Sequence, residues 1–218
     1  MSDVGMLPPD AVRTRGEPPV GTVITLVRHG EARCNADGVI GGALGCQGLT
    51  ETGRAQAAAL GRHRERHGEW EGAVLLTSAL PRARETGRVV MGRDDLEAYA
   101  RFNELEPGEA DGWTWDEYRA RVESPDWSRD PDAPFAPGGE SWRGFANRVV
   151  DALTWTSETF GAQRVVIFTH GGVIEQAIRA VTDEDDAVRL RLRTDHCSVT
   201  EIEWGAQRRL LRYNERAL

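Results

Sequence analysis

Arg28, His29 and Gly30 stand together where an apolar run stops. The run, Thr22 to Val27, is rich in β-branched residues and reads as a buried strand. A guanidinium and an imidazole at the end of a buried strand, followed at once by a glycine, fill a core badly. They suit a nucleophile and an anion clamp at the rim of an α/β sheet, where ligands of such sheets bind. Two more short β-branched runs end on polar clusters. Val74-Leu75-Leu76-Thr77 leads into Ser78-Ala79-Leu80-Pro81-Arg82-Ala83-Arg84-Glu85-Thr86, and Val165-Val166-Ile167-Phe168-Thr169 leads into His170-Gly171-Gly172. If the three runs are parallel neighbours, two imidazoles and several arginines meet at one sheet edge. An arginine can fork two N–H bonds onto an oxyanion, so the chemistry such a cluster suits is phosphoryl transfer.

Helical patterns lie between the runs. Thr50 reads as the N-cap of an Ala-rich helix through about Arg66, and Pro81 as the first turn of a helix towards Met91. Trp142, Phe145, Val149 and Leu153 recur at helical spacing, which predicts an amphipathic helix from Glu140 to about Thr159, with Ser141 near its cap. Another runs from Gly171 to about Val181. Strands alternating with helices imply a three-layer α/β/α fold around a mostly parallel central sheet. Cys197–Trp204 and Arg208–Tyr213, parted by Gly205-Ala206, predict a hairpin at the sheet edge. Residues 1–21 read as a flexible tail and 22–218 as a single domain. Within it, Glu106 to Gly139 follows neither period and carries Trp113, Trp115 and Trp127 together with Pro125, Pro131, Pro134 and Pro137. It is expected to be an irregular or helical cap insertion over the site, or a loop packing its tryptophans on a helix.

Arg28-His29-Gly30 with Asn35 six residues after the histidine resembles the signature of the histidine phosphatase superfamily, also called the phosphoglycerate mutase-like family. The resemblance continues through Leu49-Thr50-x-x-Gly53-x-x-Gln56-Ala57, Ser78-Ala79-Leu80-Pro81-Arg82-Ala83 with Thr86, Asn103-Glu104 before Gly108, Gly139-Glu140-Ser141 and His170-Gly171-Gly172. Ala79 stands where the family often has proline. Ala110-Asp111-Gly112 stands where it has Trp-Glu-Gly, a departure that reshapes the pocket wall.

The resemblance implies roles. His29 is the nucleophile, one ring nitrogen attacking phosphorus while the other holds the proton that fixes the tautomer. Arg28 and Arg82 clamp the phosphoryl oxygens, Asn35 adds a neutral donor, and His170 and the backbone at Gly171 complete the cradle. Glu104 protonates the leaving oxygen and then activates water. The arginines should keep His29 neutral by lowering its pKa. No metal and no cofactor are needed on this reading. The expected activity is that of a phosphoric monoester hydrolase, a histidine acid-type phosphatase, acting on a small phosphorylated substrate. Phosphoglycerate mutase chemistry is the first alternative. It is disfavoured because Asn103-Glu104-Leu105-Glu106-Pro107-Gly108 replaces the Glu-Arg-His-Tyr-Gly run of such mutases. An inactive phosphate-binding or regulatory module is the second. By default Arg84 is solvated or paired with Glu85, Glu31 and Arg33 are exposed loop charges, His63 and His67 solvated imidazoles, and His196 structural.

Composition sets outer bounds. The chain has 218 residues and a formal charge of −8, which argues against a nucleic-acid partner and means an anion site must be built from local arginines. No stretch is apolar for long enough to span a bilayer. Cys34, Cys46 and Cys197, an odd number without metal spacing, suggest unpaired thiols in a reducing cytoplasm. Oligomeric state is open, a homodimer included.

Overall fold

A computed structural model describes residues 21–182 and 192–217. The tail expected over residues 1–21 lies outside the described residues except for Gly21, whose amide donates to Glu203. The elements in chain order are β1 (Thr22–Arg28), α1 (Arg33–Ala36), α2 (Glu51–His67), β2 (Val74–Ser78), α3 (Pro81–Met91), β3 (Glu97–Tyr99), α4 (Trp115–Arg121), α5 (Trp142–Phe160), β4 (Val165–Thr169), α6 (Gly171–Thr182), β5 (Val199–Trp204) and β6 (Arg209–Glu215). The six strands form one mixed sheet in the order β3-β2-β4-β1-β5-β6. β1, β2, β3 and β4 pair in parallel, whereas β5 runs antiparallel to both β1 and β6. The α/β fold and the edge hairpin expected from the sequence are both present.

Strand alternation explains the layers. Ile24, Leu26, Val165 and Ile167 point to one face, where they meet Phe145, Val149 and Leu153 of α5 and Ile174 and Ala177 of α6. Val27, Val166 and Phe168 point to the other, where they meet Ala57 and Leu60 of α2 and Val90 of α3. β4 is central and buried along its whole length, so its sequence is an unbroken apolar run.

Helix starts follow local chemistry. The Thr50 hydroxyl accepts from the Gly53 amide at 3.0 Å and caps α2. Pro81 opens α3, and the Ser141 hydroxyl accepts from the Gly144 amide at 3.1 Å. Helix α5 therefore starts at Trp142, two residues later than the apolar period suggests. Strand β3, with the sequence Glu-Ala-Tyr, and α4 were not foreseen. The Thr114–Glu117 capping box that starts α4 was nevertheless present as a sequence signal.

The parallel order β2-β4-β1 brings three strand ends together. Arg28 lies beside Thr169 in register, and the His29 amide donates to the Thr169 carbonyl at 2.9 Å. His29 and His170, each one residue past its strand, are thereby neighbours. After His29 the chain turns along α2 with almost no clearance: a side chain on Gly30 would strike the Gly53 backbone, and one on Gly53 would strike Glu31.

Candidate active site

His29 is 3% exposed, and its ring centroid lies 5.2 Å from that of His170. Its proton is assigned by its neighbours. Nδ1 lies 2.7 Å from the Gly30 carbonyl, which can only accept, and Nε2 receives the Arg82 Nε–H at 3.2 Å. The hydrogen is therefore on Nδ1 and the lone pair on Nε2. Burial drives the His29 pKa well below its ordinary value, with Arg82 and Arg28 adding to the shift. The imidazole is neutral, as the flanking arginines suggested, although burial is the larger cause.

The same bookkeeping assigns His170. The Asn103 carboxamide oxygen accepts from the Ala79 amide at 3.0 Å and from the Ser78 hydroxyl at 2.8 Å, which uses the hydroxyl's one hydrogen. Ser78 Oγ accepts from the Leu80 amide, so His170 Nε2, 2.7 Å away, must donate to it. This leaves the buried Nδ1 of His170 as an acceptor without a hydrogen-bond partner among the described residues. Burial, followed by Arg82 and His29, drives this pKa well below the ordinary value too. Ser78 and Asn103 are thus part of the site, although they were noted only as members of a motif.

Arg82 is buried on α3 and donates through Nη1 to the Gly41 carbonyl at 2.7 Å. Thr86 links that helix to the signature loop: its Oγ1 accepts from the Gly30 amide at 3.0 Å and donates to the Arg82 carbonyl at 2.7 Å. Arg28 donates through Nη1 to the Thr194 carbonyl, and its buried Nε has no partner among the described residues. Burial lowers the Arg28 pKa, while Glu104 and Asp195 pull against that shift. Asn35 lines the same cavity and accepts from the Ala32 amide through Oδ1 at 3.2 Å, a bond that does not use its amide N–H groups.

Glu104 lies at the start of α6. Oε2 accepts from the Gly172 amide at 3.0 Å and Oε1 from the Leu105 amide at 3.1 Å. A Cβ on Gly172 would stand 3.0 Å from the Glu104 carboxyl carbon, so this position must be glycine for the carboxylate to sit there. A Cβ on Gly171 would meet Arg28 Nε at an ordinary 3.5 Å. Of the two glycines, the second is the one in contact with Glu104. Arg148 of α5 holds the Glu104 loop: it donates to the carbonyls of Arg101, Asn103 and Glu104 and pairs with Glu140 at 2.7 Å.

Arg28, His29, Asn35, Arg82 and Glu104 line one cavity of about 430 Å³, whose outer half is formed by the segment between Glu106 and Gly139 together with Val39 and Ile40. His170 and Gly171 lie behind that lining. A second groove, of about 480 Å³, runs along α3 past Arg84, Arg88 and Arg93 and contains none of these groups. Asp111, the residue that departs from the family pattern, accepts from the amides of Gly42, Leu44 and Gly45 at 2.7–2.8 Å and pins the loop at the cavity rim.

Two expectations change, those for Glu31 and His196, whereas Arg84 is exposed as expected. Glu31 is half-buried, and its carboxylate accepts from the Thr50 hydroxyl at 2.6 Å, which ties the signature loop to the α2 cap. Glu85 bonds Arg54 and the Leu49 amide, leaving Arg84 exposed. His196, read as structural, lies 5.7 Å from the His29 ring, and burial lowers its pKa to about 4. No local signal marks it, since it arrives from the loop before β5, far along the chain. Cys34 and Cys46 are buried free thiols hydrogen-bonded to each other. That bond lowers Cys46 to about 5 and raises Cys34.

Similarity to known proteins agrees with this geometry. The chain is 32% identical over 176 residues to a metal-independent phosphoserine phosphatase of Arabidopsis thaliana, covering 78% of this chain and 72% of that protein. It is 29% identical over 193 residues to a 2,3-bisphosphoglycerate-dependent phosphoglycerate mutase of Parvibaculum lavamentivorans, covering 83% and 90%. Its fold matches the alpha-ribazole phosphatase of Shigella flexneri with a TM-score of 0.77 and 25% identity, over 90% of this chain and 98% of that one. With its paired strand-end histidines on this fold, and with residues 24–216 matching the family model, the chain belongs to the histidine phosphatase superfamily, branch 1.

Proposed function

We propose that this chain is a metal-independent phosphomonoester hydrolase that works through a phosphohistidine on His29, with Glu104 as acid and base. One observation carries the reading: His29 is neutral, with its proton on Nδ1 and its Nε2 lone pair directed at Arg82, in a cavity that Arg28 and Glu104 share. Nε2 attacks phosphorus as the bond to the leaving oxygen breaks, and Glu104 delivers a proton to that oxygen. Water then attacks phosphorus, Glu104 takes its proton, and the P–N electron pair returns to Nε2. Arg28, Arg82 and Asn35 hold the equatorial oxygens, where charge accumulates, and His170 joins them once the arriving phosphoryl dianion places a proton on its Nδ1. Binding of the phosphoryl group must draw Arg82 from Nε2, which exposes the lone pair as substrate arrives.

The relative that is a metal-independent phosphoserine phosphatase supports hydrolysis without a metal. The mutase relative favours a second reading, transfer between two positions of phosphoglycerate. The test is phosphate release with EDTA present, comparing wild type with His29→Ala and trapping the phosphoryl enzyme as an acid-labile label. Turnover that survives EDTA and falls at least ~10³-fold in the variant is expected. Activity retained by His29→Ala would overturn the mechanism. Isomerisation of phosphoglycerate without phosphate release would favour the mutase.

A further inference from the structure

The cavity changes character along its length. Its inner end is polar and cationic, at Arg28, His29 and Arg82, whereas its outer half is walled by Val39, Leu105, Trp115, Trp127 and Phe135. The rings are held in place. Trp127 stacks on Trp142 of α5 at 5.1 Å, and its indole N–H donates to the Ala133 carbonyl at 2.8 Å. Phe135 stacks on Tyr118 at 4.5 Å and meets Trp115 edge-on at 6.1 Å. The Tyr118 hydroxyl donates to the Phe135 carbonyl at 2.7 Å, so the polar tip nearest these rings is engaged as well. Trp115, at the rim, is 43% exposed, an aromatic face open to whatever enters.

Among the described residues that line it, the outer half also lacks a cation. The chain contains no lysine. Three arginines of the cap segment and α5 are engaged with other groups: Arg119 with Asp116, Arg121 with Glu117 and the Trp113 face, and Arg143 with Asp132. A leaving group bearing a carboxylate would lose its hydration there and gain no counter-charge. A flat apolar group would bury its faces against preordered rings. A volume of about 430 Å³ is of the size that holds a phosphoryl group and a ring together.

Resting on the hydrolase reading above, we propose that the substrate is a phosphomonoester whose leaving group is uncharged and aromatic or otherwise flat and apolar, attached through a short alkyl link. A phosphorylated amino acid or hydroxy acid is the wrong shape and charge for this pocket. The indoles of Trp115 and Trp127 are the specificity-determining groups.

Two measurements on the full chain test this. The first compares kcat/KM for 2-phenylethyl phosphate, ethyl phosphate, O-phosphoserine and 3-phosphoglycerate. All four release or carry aliphatic alcohol oxygens, so leaving-group acidity does not mimic specificity. The phenylethyl ester should exceed the ethyl ester at least about thirtyfold and both acids by more. Trp115→Ala, at an exposed position, should cut the ratio of phenylethyl to ethyl kcat/KM about three- to tenfold. The second is calorimetric binding of non-hydrolysable phosphonates, 3-phenylpropylphosphonate against 2-amino-4-phosphonobutyrate. Tighter binding of the aromatic compound is expected whether or not the chain turns over esters. Preference for the amino acid in binding, or for phosphoserine or 3-phosphoglycerate in turnover, would overturn the substrate class. Aromatic preference in binding with no turnover of any ester would leave the substrate class standing and remove the hydrolase reading.

Discussion

Gly172→Ala places a methyl group 3.0 Å from the Glu104 carboxyl carbon and closer still to Oε1. Comfortable carbon contacts lie at about 3.5–4.0 Å, so the carboxylate must retreat by about 1 Å and lose its bond from the Gly172 amide. A misplacement of about 1 Å at a reacting group costs on the order of 10²-fold in rate, about 2.7 kcal/mol of barrier. The expected result is a kcat about 10²-fold lower, with KM changed much less, because Arg28 and Arg82 still hold the phosphoryl group. A double-mutant cycle separates this from a diffuse structural effect. Glu104→Ala alone should cost about 10²–10⁴-fold. In that background the contact with Glu104 is gone, so Gly172→Ala should alter kcat less than about threefold, while the melting temperature should not rise, because the added Cβ still sits 3.1 Å from Phe145 Cε1 in the core. The assay is steady-state phosphate release with parallel thermal melts. Full activity in Gly172→Ala, or an equal loss in both backgrounds, would refute the assignment of Glu104 and its dependence on this glycine.

Other predictions test the supports of the site. His29, His170 and His196 all have pKa values lowered by burial, so below about pH 6.5 the unfolded chain takes up protons that the folded chain refuses. Their contribution to stability is complete above about pH 6.5 and should be lost on acidification, by up to about 1.4 kcal/mol per pH unit for each histidine. His196→Asn should flatten the slope of urea-unfolding stability between pH 6.5 and about 4, and an unchanged slope would be evidence against its burial as a neutral ring. Arg148→Met leaves Glu140 without its partner and three loop carbonyls without a donor; a loss of about 3 kcal/mol in chemical denaturation is expected, with a lower kcat through Glu104. Asp111→Asn puts an amide where one of two acceptor oxygens meets the amides of Gly42, Leu44 and Gly45; it should raise KM several-fold while moving the melting midpoint little, since the strain falls on a rim loop.

Much of the molecule was readable from the chain because the signals were local. Three β-branched runs ended on polar clusters, and turn glycines and caps at Thr50, Pro81 and Ser141 marked the helices between them. Strand β3 was not readable, since three residues with no apolar alternation carry no period; pairing with β2 makes it a strand. Glu31 looked like a solvated charge because nothing nearby in sequence shows that the α2 cap folds against it. The cap segment likewise carried tryptophans without stating what they face. Only the fold turns Trp127 onto Trp142 while leaving it in the wall of the cavity.

The sequence by itself determined which residue types stand at strand ends, because that depends on short-range patterning and on motif spacing. It also determined that arginines supply the local positive charge in an acidic chain with a formal charge of −8. The tertiary structure decided the proton on each histidine, since that depends on hydrogen-bond partners brought from other elements: Gly30 and Arg82 for His29, and Ser78 with Asn103 for His170. It also decided that His196 joins the site and that the second glycine of the His-Gly-Gly run makes room for Glu104. Such contacts join residues far apart in the chain, and their distances are fixed only when β2, β4 and β1 lie side by side and the loops close over their ends.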